Sequence, residues 1–388
     1  MKIRYAEEND IDDIKDIWRY CFNDGEKFMN YYFENKYSRL NTVVVDEREE
    51  IVSSLQLNQY KIFLNNKVYD TSYIVGVSTF PQVRGRGYMQ NIMNFTLEEL
   101  YKKNQLVSIL MPIDYRLYRK YGYEHCYDQI EYKIDIEDLS KFKINGRLYK
   151  ISDKHIKDLI HIQRCFLQDV NGNVVRNEIY YKNLFEEVKS EDGYMYIHKN
   201  NGYEGYIIYS IHGDTMMARE IFYKNIESLK SMLKFIYNHN TQCKRVIISA
   251  PIMDKVRHIL DNPKTCEIKI KPFMMGRIIN LKGYLESLDI DYDIEGSTKI
   301  MIEDKFILEN NGVFKINAHK GRLYVDNVDE SYDMAFDINT ITQIAFSYIN
   351  LSEAFVLNNI DGDKVNKDSV SLFNSIFKKK DNYINEYV

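Results

Sequence analysis

The sequence predicts a mixed α+β fold arranged as two or three consecutive domains. Three observations predict it. The chain has 388 residues, more than one typical domain. Runs rich in β-branched residues alternate with runs of helical spacing, and near residue 288 the pattern changes to short alternating segments. Met1 to Tyr5 reads as a short strand, and Asn9 to Ile14 as the capped start of a helix. Tyr73 to Thr79 reads as a strand, and Met89, Met93, Leu97 and Leu100 place a helix after it. Leu106 to Met111 is a second buried-strand candidate, followed by the segment Asp114 to Tyr123.

A second set repeats this order from about residue 146. Gly205 to Tyr209 and Thr215 to Tyr223 read as strands, Ile226 to Tyr237 as a helix, and Arg245 to Ser249 as a further strand. The division expected is therefore 1–145, 146–287 and 288–388. In the last segment Asn311-Gly312 reads as a hairpin turn between Phe306 to Leu308 and Val313 to Ile316. Two helices follow, one marked by Ile341, Ile344, Ala345 and Tyr348. The other is marked by Val370, Phe373, Ile376 and Phe377, and Lys378 to Lys380 suits its C-terminus.

Composition excludes several classes. With 57 acidic against 52 basic residues the chain is modestly acidic, which favours cationic substrates. No long basic stripe with interleaved aromatics is present, so a nucleic-acid partner is not expected. No signal peptide and no run of about 18 apolar residues is visible, so no membrane partner and a cytoplasmic location are expected. Cys21, Cys126, Cys165, Cys243 and Cys266 are scattered and should be reduced thiols, and no ligand spacing suggests a metal.

The stretch Gln82-Val83-Arg84-Gly85-Arg86-Gly87-Tyr88 carries the chemistry. It stands where a strand becomes a helix. Gly85 and Gly87 allow the backbone to approach a ligand closely, and the free N–H groups of the helix start suit an anionic pyrophosphate. A triphosphate loop would need Gly-x-x-x-x-Gly-Lys-Ser/Thr, and a dinucleotide loop Gly-x-Gly-x-x-Gly; neither is present. A turn whose glycines serve structure alone is the other reading. In the second set the corresponding connection, Phe222 to Ile226, has no glycine and admits no phosphate.

The pattern Gln/Arg-x-x-Gly-x-Gly resembles the acetyl-CoA loop of the GNAT superfamily of N-acetyltransferases, and Leu117-Tyr118-Arg119-Lys120-Tyr121-Gly122-Tyr123 resembles that family's closing segment. The whole layout resembles the enhanced intracellular survival (Eis) family. That resemblance implies a GNAT domain, a degenerate GNAT-like copy and a terminal domain like sterol carrier proteins. It implies acetyl-CoA as co-substrate, no metal, a primary amine acceptor such as an aminoglycoside, polyamine or lysine, and a homo-oligomer, a hexamer. By position, Val77, Ser78 and Thr79 would meet the pantetheine arm, Arg84, Gly85, Arg86, Gly87, Tyr88 and Met89 would hold the pyrophosphate, and Asp114 would also lie at the cofactor.

Tyr118 would be the general acid, since a phenol with an ordinary pKa of about 10 stays protonated and can donate to a departing thiolate. The family's base is the terminal carboxylate, here Val388, although this tail ends Asn385-Glu386-Tyr387-Val388 rather than in an aromatic residue; Glu386 could act instead. A frayed, solvated terminus is the other reading of the tail. For the acceptor, Asp24, Glu26 and Tyr31 are candidates with Phe28 and Tyr32, though Phe28, Tyr32 and Phe33 also fit the core face of a helix. The alternative to an enzyme is a module that binds CoA and an apolar ligand without turnover.

Overall fold

A computed structural model describes residues 1–387 apart from 359, 361, 363 and 364. The first unit contains β1 (Lys2–Tyr5), α1 (Ile11–Cys21), α2 (Glu26–Asn35), β2 (Thr42–Glu47), β3 (Glu50–Leu64), β4 (Lys67–Thr79), α3 (Tyr88–Lys102), β5 (Val107–Leu110), α4 (Tyr115–Arg119) and β6 (Glu124–Asp135). The second contains β7 (Arg147–Lys150), α5 (Ile156–Phe166), β8 (Asn173–Val174), α6 (Glu178–Ser190), β9 (Tyr194–Lys199), β10 (Tyr203–His212), β11 (Thr215–Tyr223), α7 (Ile226–Tyr237), β12 (Arg245–Ala250), α8 (Val256–Ile259) and β13 (Glu267–Ile278). The third contains α9 (Leu281–Ser287), β14 (Gly296–Glu303), β15 (Gly312–His319), β16 (Arg322–Val328), β17 (Met334–Asp337), α10 (Ile338–Ala345), α11 (Leu351–Leu357) and α12 (Lys367–Ile376).

The first two units share one sheet, ordered β1-β2-β3-β4-β5-β13-β6-β12-β11-β10-β9-β7, with β8 paired to β3. The repeat read from the sequence is visible in the strand directions. β4 runs parallel to β5 from Thr71↔Val107 to Ile74↔Leu110, and β11 runs parallel to β12 from Thr215↔Arg245 to Ala218↔Ile248, each pair joined by a crossover helix. β13 returns from the second unit and inserts between β5 and β6, with Met275 opposite Leu110 and Ile270 opposite Ile130. Two-residue turns set local register: Asn65 and Asn66 both take positive φ between β3 and β4, as a type I′ hairpin requires.

The third unit has a separate four-stranded sheet, β16-β15-β14-β17. Here the sequence reading needs correction. Residues 306–308 are not a strand, and β15 pairs instead with β14, with Ile300 opposite Phe314. Asn311 stabilises a loop rather than a hairpin: its amide accepts from the Asp304 N–H at 2.8 Å and donates to the Asp304 carbonyl at 2.7 Å. The tight turn in this sheet is Lys320-Gly321, both at positive φ, between β15 and β16.

Packing follows the apolar periodicity. Ile92, Met93, Leu97 and Leu100 bury one face of α3 against the sheet, and Ile341, Ile344 and Ala345 do the same for α10. Each Ile, Leu or Met among them contributes about 1.5–3 kcal/mol on burial. Tyr32 and Phe33 are core residues of α2, and Trp18 stacks on Tyr32 with centroids 4.5 Å apart. All five cysteines are free thiols. Among the described residues no helix is long and apolar enough to cross a membrane, and no group of three or more His, Cys, Asp or Glu is placed to hold a metal.

Candidate active site

The site begins as a defect in the β3–β4 ladder. Gln56 pairs with Val75 and Ser54 with Ser78, so Gly76 and Val77 together oppose Leu55 and form a β-bulge. Gly76 takes φ +58, and a β-carbon there would overlap Gln56 and Trp18, so no other residue fits. The bulge bends β4 just beyond Ile74↔Leu110, where its pairing with β5 ends. The strands separate at their C-terminal ends, and backbone groups of Gly76 to Thr79 on that side have no β5 partner.

The loop after β4 completes a groove. Gly87, at φ +81, is the N-cap residue of α3, and no side chain caps this helix. No backbone carbonyl of the described residues accepts from the N–H groups of Gly85 through Gln90. A β-carbon at Gly85 or Gly87 would meet nothing within 4 Å, so the space above both is open. Six N–H groups at the positive end of a 15-residue helix are therefore without a backbone acceptor among the described residues, beside two glycines that leave open space. The second unit contrasts with this: at the equivalent start of α7 the Asn225 side chain accepts from Ser228 N–H, and the helix end is satisfied internally.

The groove holds about 480 Å³. Of the residues expected at the cofactor, Val77, Ser78, Thr79, Arg84, Gly85, Gly87, Tyr88 and Met89 line it, and Tyr118 stands in its wall. Arg84 is anchored by its Nε–H donating to the Thr79 carbonyl at 3.1 Å. The Tyr88 hydroxyl turns away to donate to Glu47, so the backbone at that position faces the groove. Tyr118 is 6% exposed, and among the described residues no hydrogen bond acts on its hydroxyl. Burial, with a smaller contribution from Tyr121, pushes its pKa up to about 12.

Other expected residues are placed elsewhere. Arg86 faces Glu47 at 3.7 Å rather than the groove. Asp114 caps α4, accepting from Arg116 N–H at 2.9 Å, and its carboxylate pairs with the Arg116 guanidinium at 2.6 Å. The acceptor candidates Asp24, Glu26 and Tyr31 each have a protein partner. Asp24 accepts from Trp18 Nε1 at 2.9 Å, Glu26 pairs with exposed Arg19 at 3.3 Å, and Tyr31 is buried with its hydroxyl donating to Glu187 at 3.2 Å.

Glu386 belongs to a buried ion network. Its Oε1 accepts from Arg176 Nε at 3.1 Å and from the Tyr180 hydroxyl at 2.9 Å, and its Oε2 accepts from Asn385 N–H at 2.8 Å. Arg176 also makes a two-pronged pair with Glu220 at 2.8 Å. Glu386, expected in the acceptor pocket or as the base, is thus held by Arg176 and Tyr180 through Oε1, while its Oε2 accepts one bond, from the neighbouring Asn385 N–H.

Val388 lies outside the described residues, but the chain leading to it does not fray. Tyr383, Ile384, Asn385 and Glu386 are all under 4% exposed. Gln129 Nε2 donates to the Ile384 carbonyl at 3.1 Å, Asn385 Nδ2 to the Arg219 carbonyl at 3.1 Å, and the Tyr73 hydroxyl to the Glu386 carbonyl at 3.4 Å. Tyr73 pairs with Ile109, one residue before the β4–β5 ladder ends. The tail thus crosses the sheet beside the point where the two strands separate.

Cys21, Phe22, Gln90, Ile113, Leu117 and Lys120 also line the groove and were not anticipated from the sequence. Gln90 follows directly from the first turn of α3. The glycine inside the β4 strand pattern was a signal for the bulge. Cys21 carried no local signal, because the end of α1 reaches the groove only through packing against β4.

The comparisons agree with this geometry. Residues 2–126 match a family model described as an acetyltransferase (GNAT) domain, residues 172–278 match a second acetyltransferase (GNAT) domain model, and residues 281–385 match a sterol carrier protein domain. No curated protein sequence matches this chain. Among solved structures, a conserved protein of unknown function from Enterococcus faecalis V583, described as a probable N-acyltransferase, superposes with TM-score 0.87 at 22% identity over 100% of this chain and 99% of its own. A GCN5-related N-acetyltransferase from Anabaena variabilis ATCC 29413 gives 0.86 at 19% over 100% of both chains. Eis1 from Mycobacterium abscessus gives 0.76 at 13% over 100% of both. At these identities the likeness is one of fold.

Two of the three matched segments are acetyltransferase (GNAT) domains, and the groove lies in the first of them, which makes the chain a GNAT-type acyltransferase. Its particular arrangement is tandem GNAT domains followed by a sterol carrier protein domain, in a fold shared with Eis1 from Mycobacterium abscessus.

Proposed function

We propose that this protein is an acetyl-CoA-dependent N-acetyltransferase that moves the acetyl group directly to a primary amine. The observation that carries the reading is the meeting, in one groove, of the β4–β5 separation, the uncapped α3 start with Gly85 and Gly87, and the unpartnered Tyr118 hydroxyl. In this reading the backbone of Val77 to Thr79 pairs with the amide-bearing arm of acetyl-CoA, and the N–H groups from Gly85 to Gln90 hold its pyrophosphate. The amine nitrogen, having lost a proton to a base, forms the new C–N bond. As the C–S bond breaks, the thiolate takes its proton from the Tyr118 hydroxyl.

Direct transfer is tested by intact-protein mass after incubation with acetyl-CoA and no acceptor. Cys21 is a thiol in the groove and would be the site of an acetyl-enzyme. An unchanged mass is expected; a stable gain of one acetyl group would contradict direct transfer.

Two of the expected outcomes arise here. Gly87→Ala puts a β-carbon into the cradle at a positive φ that costs about 1–2 kcal/mol. The KM for acetyl-CoA should rise about ten-fold while kcat changes little. A KM equal to that of the unmodified protein would remove the loop from the site.

For the base we retain the terminal carboxylate of Val388, since the buried tail leads towards the separated strands and Glu386 is paired with Arg176. Its ordinary pKa of about 3.3–3.7 requires burial or a relaying water. Adding residues after Val388 should lower kcat about 10²-fold. Full activity in the extended chain would rule the carboxylate out. The acceptor class, an aminoglycoside, polyamine or lysine-bearing peptide, and a cytoplasmic hexamer belong to the same proposal; a monomer in sedimentation would contradict the assembly.

A further inference from the structure

We propose that the third unit is the positioning element for the general acid, holding the Tyr118-bearing turn through Asn339 and through the buried Arg277–Asp304 pair. This inference rests on the assignment of Tyr118 as the acid.

The acid sits on α4, a helix of only five residues, too short to hold its place alone. Its C-terminal turn closes with Tyr121 N–H donating to the Tyr118 carbonyl and Gly122 N–H to the Arg119 carbonyl, both at 2.9 Å. Within the first unit the Arg119 Nε–H donates to Glu124 at 2.9 Å and the Tyr123 hydroxyl to Ser108 Oγ at 2.8 Å, and the third unit adds further bonds to the turn's backbone. Asn339, in the first turn of α10, donates from Nδ2 to the Arg119 carbonyl at 2.9 Å and to the Tyr123 carbonyl at 3.0 Å, bracketing the turn at both ends. The Phe306 ring packs on the Tyr121 ring with centroids 5.2 Å apart.

Between these contacts lies Arg277, wholly buried on β13. Its guanidinium presses against Gly122, which takes φ +82; a β-carbon there would overlap the guanidinium and crowd Ile338. Arg277 Nη2 donates to both Asp304 oxygens, at 3.0 and 2.9 Å. Asp304 in turn accepts from the N–H of Phe306 at 3.0 Å and from Asn310 Nδ2 at 3.0 Å. The pair therefore connects the loop bearing Phe306 to the turn bearing Tyr118.

Stability alone does not explain this arrangement. Arg277 Nε and Nη1 are buried without partners, a cost of about 1–3 kcal/mol per group. Apolar residues of the same volume would fill the site as well or better. What a planar guanidinium supplies, and an apolar side chain does not, is a rigid face of fixed orientation. It fixes the turn, and the turn fixes the Tyr118 hydroxyl relative to a leaving group that tolerates little misplacement.

The test is a double-mutant cycle. Asn339→Ala and Arg277→Lys are each made in the unmodified protein and in Tyr118→Phe, with kcat, KM for acetyl-CoA and melting temperature measured for all. Each single variant should lower kcat about ten-fold with KM within about two-fold, and neither should lower kcat further once Tyr118 is Phe. Equal losses in both backgrounds, or no loss in either, would overturn the inference while leaving the acid assignment standing. If Tyr118→Phe by itself keeps full turnover, the acid assignment fails and this inference with it. Asn339 is half-buried at the edge of the unit, so its variant carries the test even if Arg277→Lys does not fold.

Discussion

Replacing Tyr118 by Phe is expected to lower kcat by about 10²- to 10³-fold while leaving the KM for acetyl-CoA nearly unchanged. The ring stays in its buried slot, so packing is conserved; only the hydroxyl that faces the groove without a protein partner is lost. Burial pushes this phenol up to about pKa 12. A general acid must be protonated, and a raised pKa keeps it so. In the unmodified protein no fall in rate should come from this group below about pH 11. Steady-state rates at saturating acetyl-CoA across pH 6–10 check both statements. Turnover in Tyr118→Phe equal to the unmodified rate would remove the assignment.

Arg176→Met should destabilise the protein by about 3–5 kcal/mol, the largest single effect on stability expected here. Arg176, Glu220 and Glu386 are each under 4% exposed, and removing the cation leaves two carboxylates buried together. Burial by itself would lower the Arg176 pKa, but Glu220 and its neighbours carry it well above the ordinary value. Burial likewise would raise Glu220, but Arg176 holds it below the ordinary carboxylate value. A carboxylate depressed in the folded state contributes stability that is present above its unfolded pKa of about 4.3 and is lost as pH falls below it. The unmodified protein should therefore weaken in acid, and Arg176→Met should show less of that dependence. Urea midpoints at pH 7 and pH 4 measure both. Because Glu386 anchors the tail, the variant should also free the chain end for carboxypeptidase digestion; a midpoint unchanged at pH 7 would contradict the network's role.

The parts of this structure legible in the sequence are those written in neighbouring residues. The β4 strand, the Gly85-Arg86-Gly87 turn, α3 and the repeat from β10 to β12 all follow from spacing and turn chemistry over a few residues. α7 and β11 fall on the residues read for them. What was not legible depends on partners far apart in the chain. The Arg176–Glu386 contact spans 210 positions, and β13 enters the first unit's sheet from more than 100 residues away. The partners of Asp24 and Glu26, Trp18 and Arg19 on the preceding helix, are likewise not marked by any local pattern. Asn311-Gly312 carried the right dipeptide for a hairpin, but the bonds from Asn311 to the Asp304 backbone turned it into a loop closure.

The measurement to make is release of the CoA thiol from acetyl-CoA by the purified protein with its natural C-terminus, against aminoglycosides, polyamines and lysine peptides. Release that requires an added amine, with the acetyl group recovered on that amine, is expected. Binding of acetyl-CoA without release in the presence of any of these amines would contradict the proposed activity.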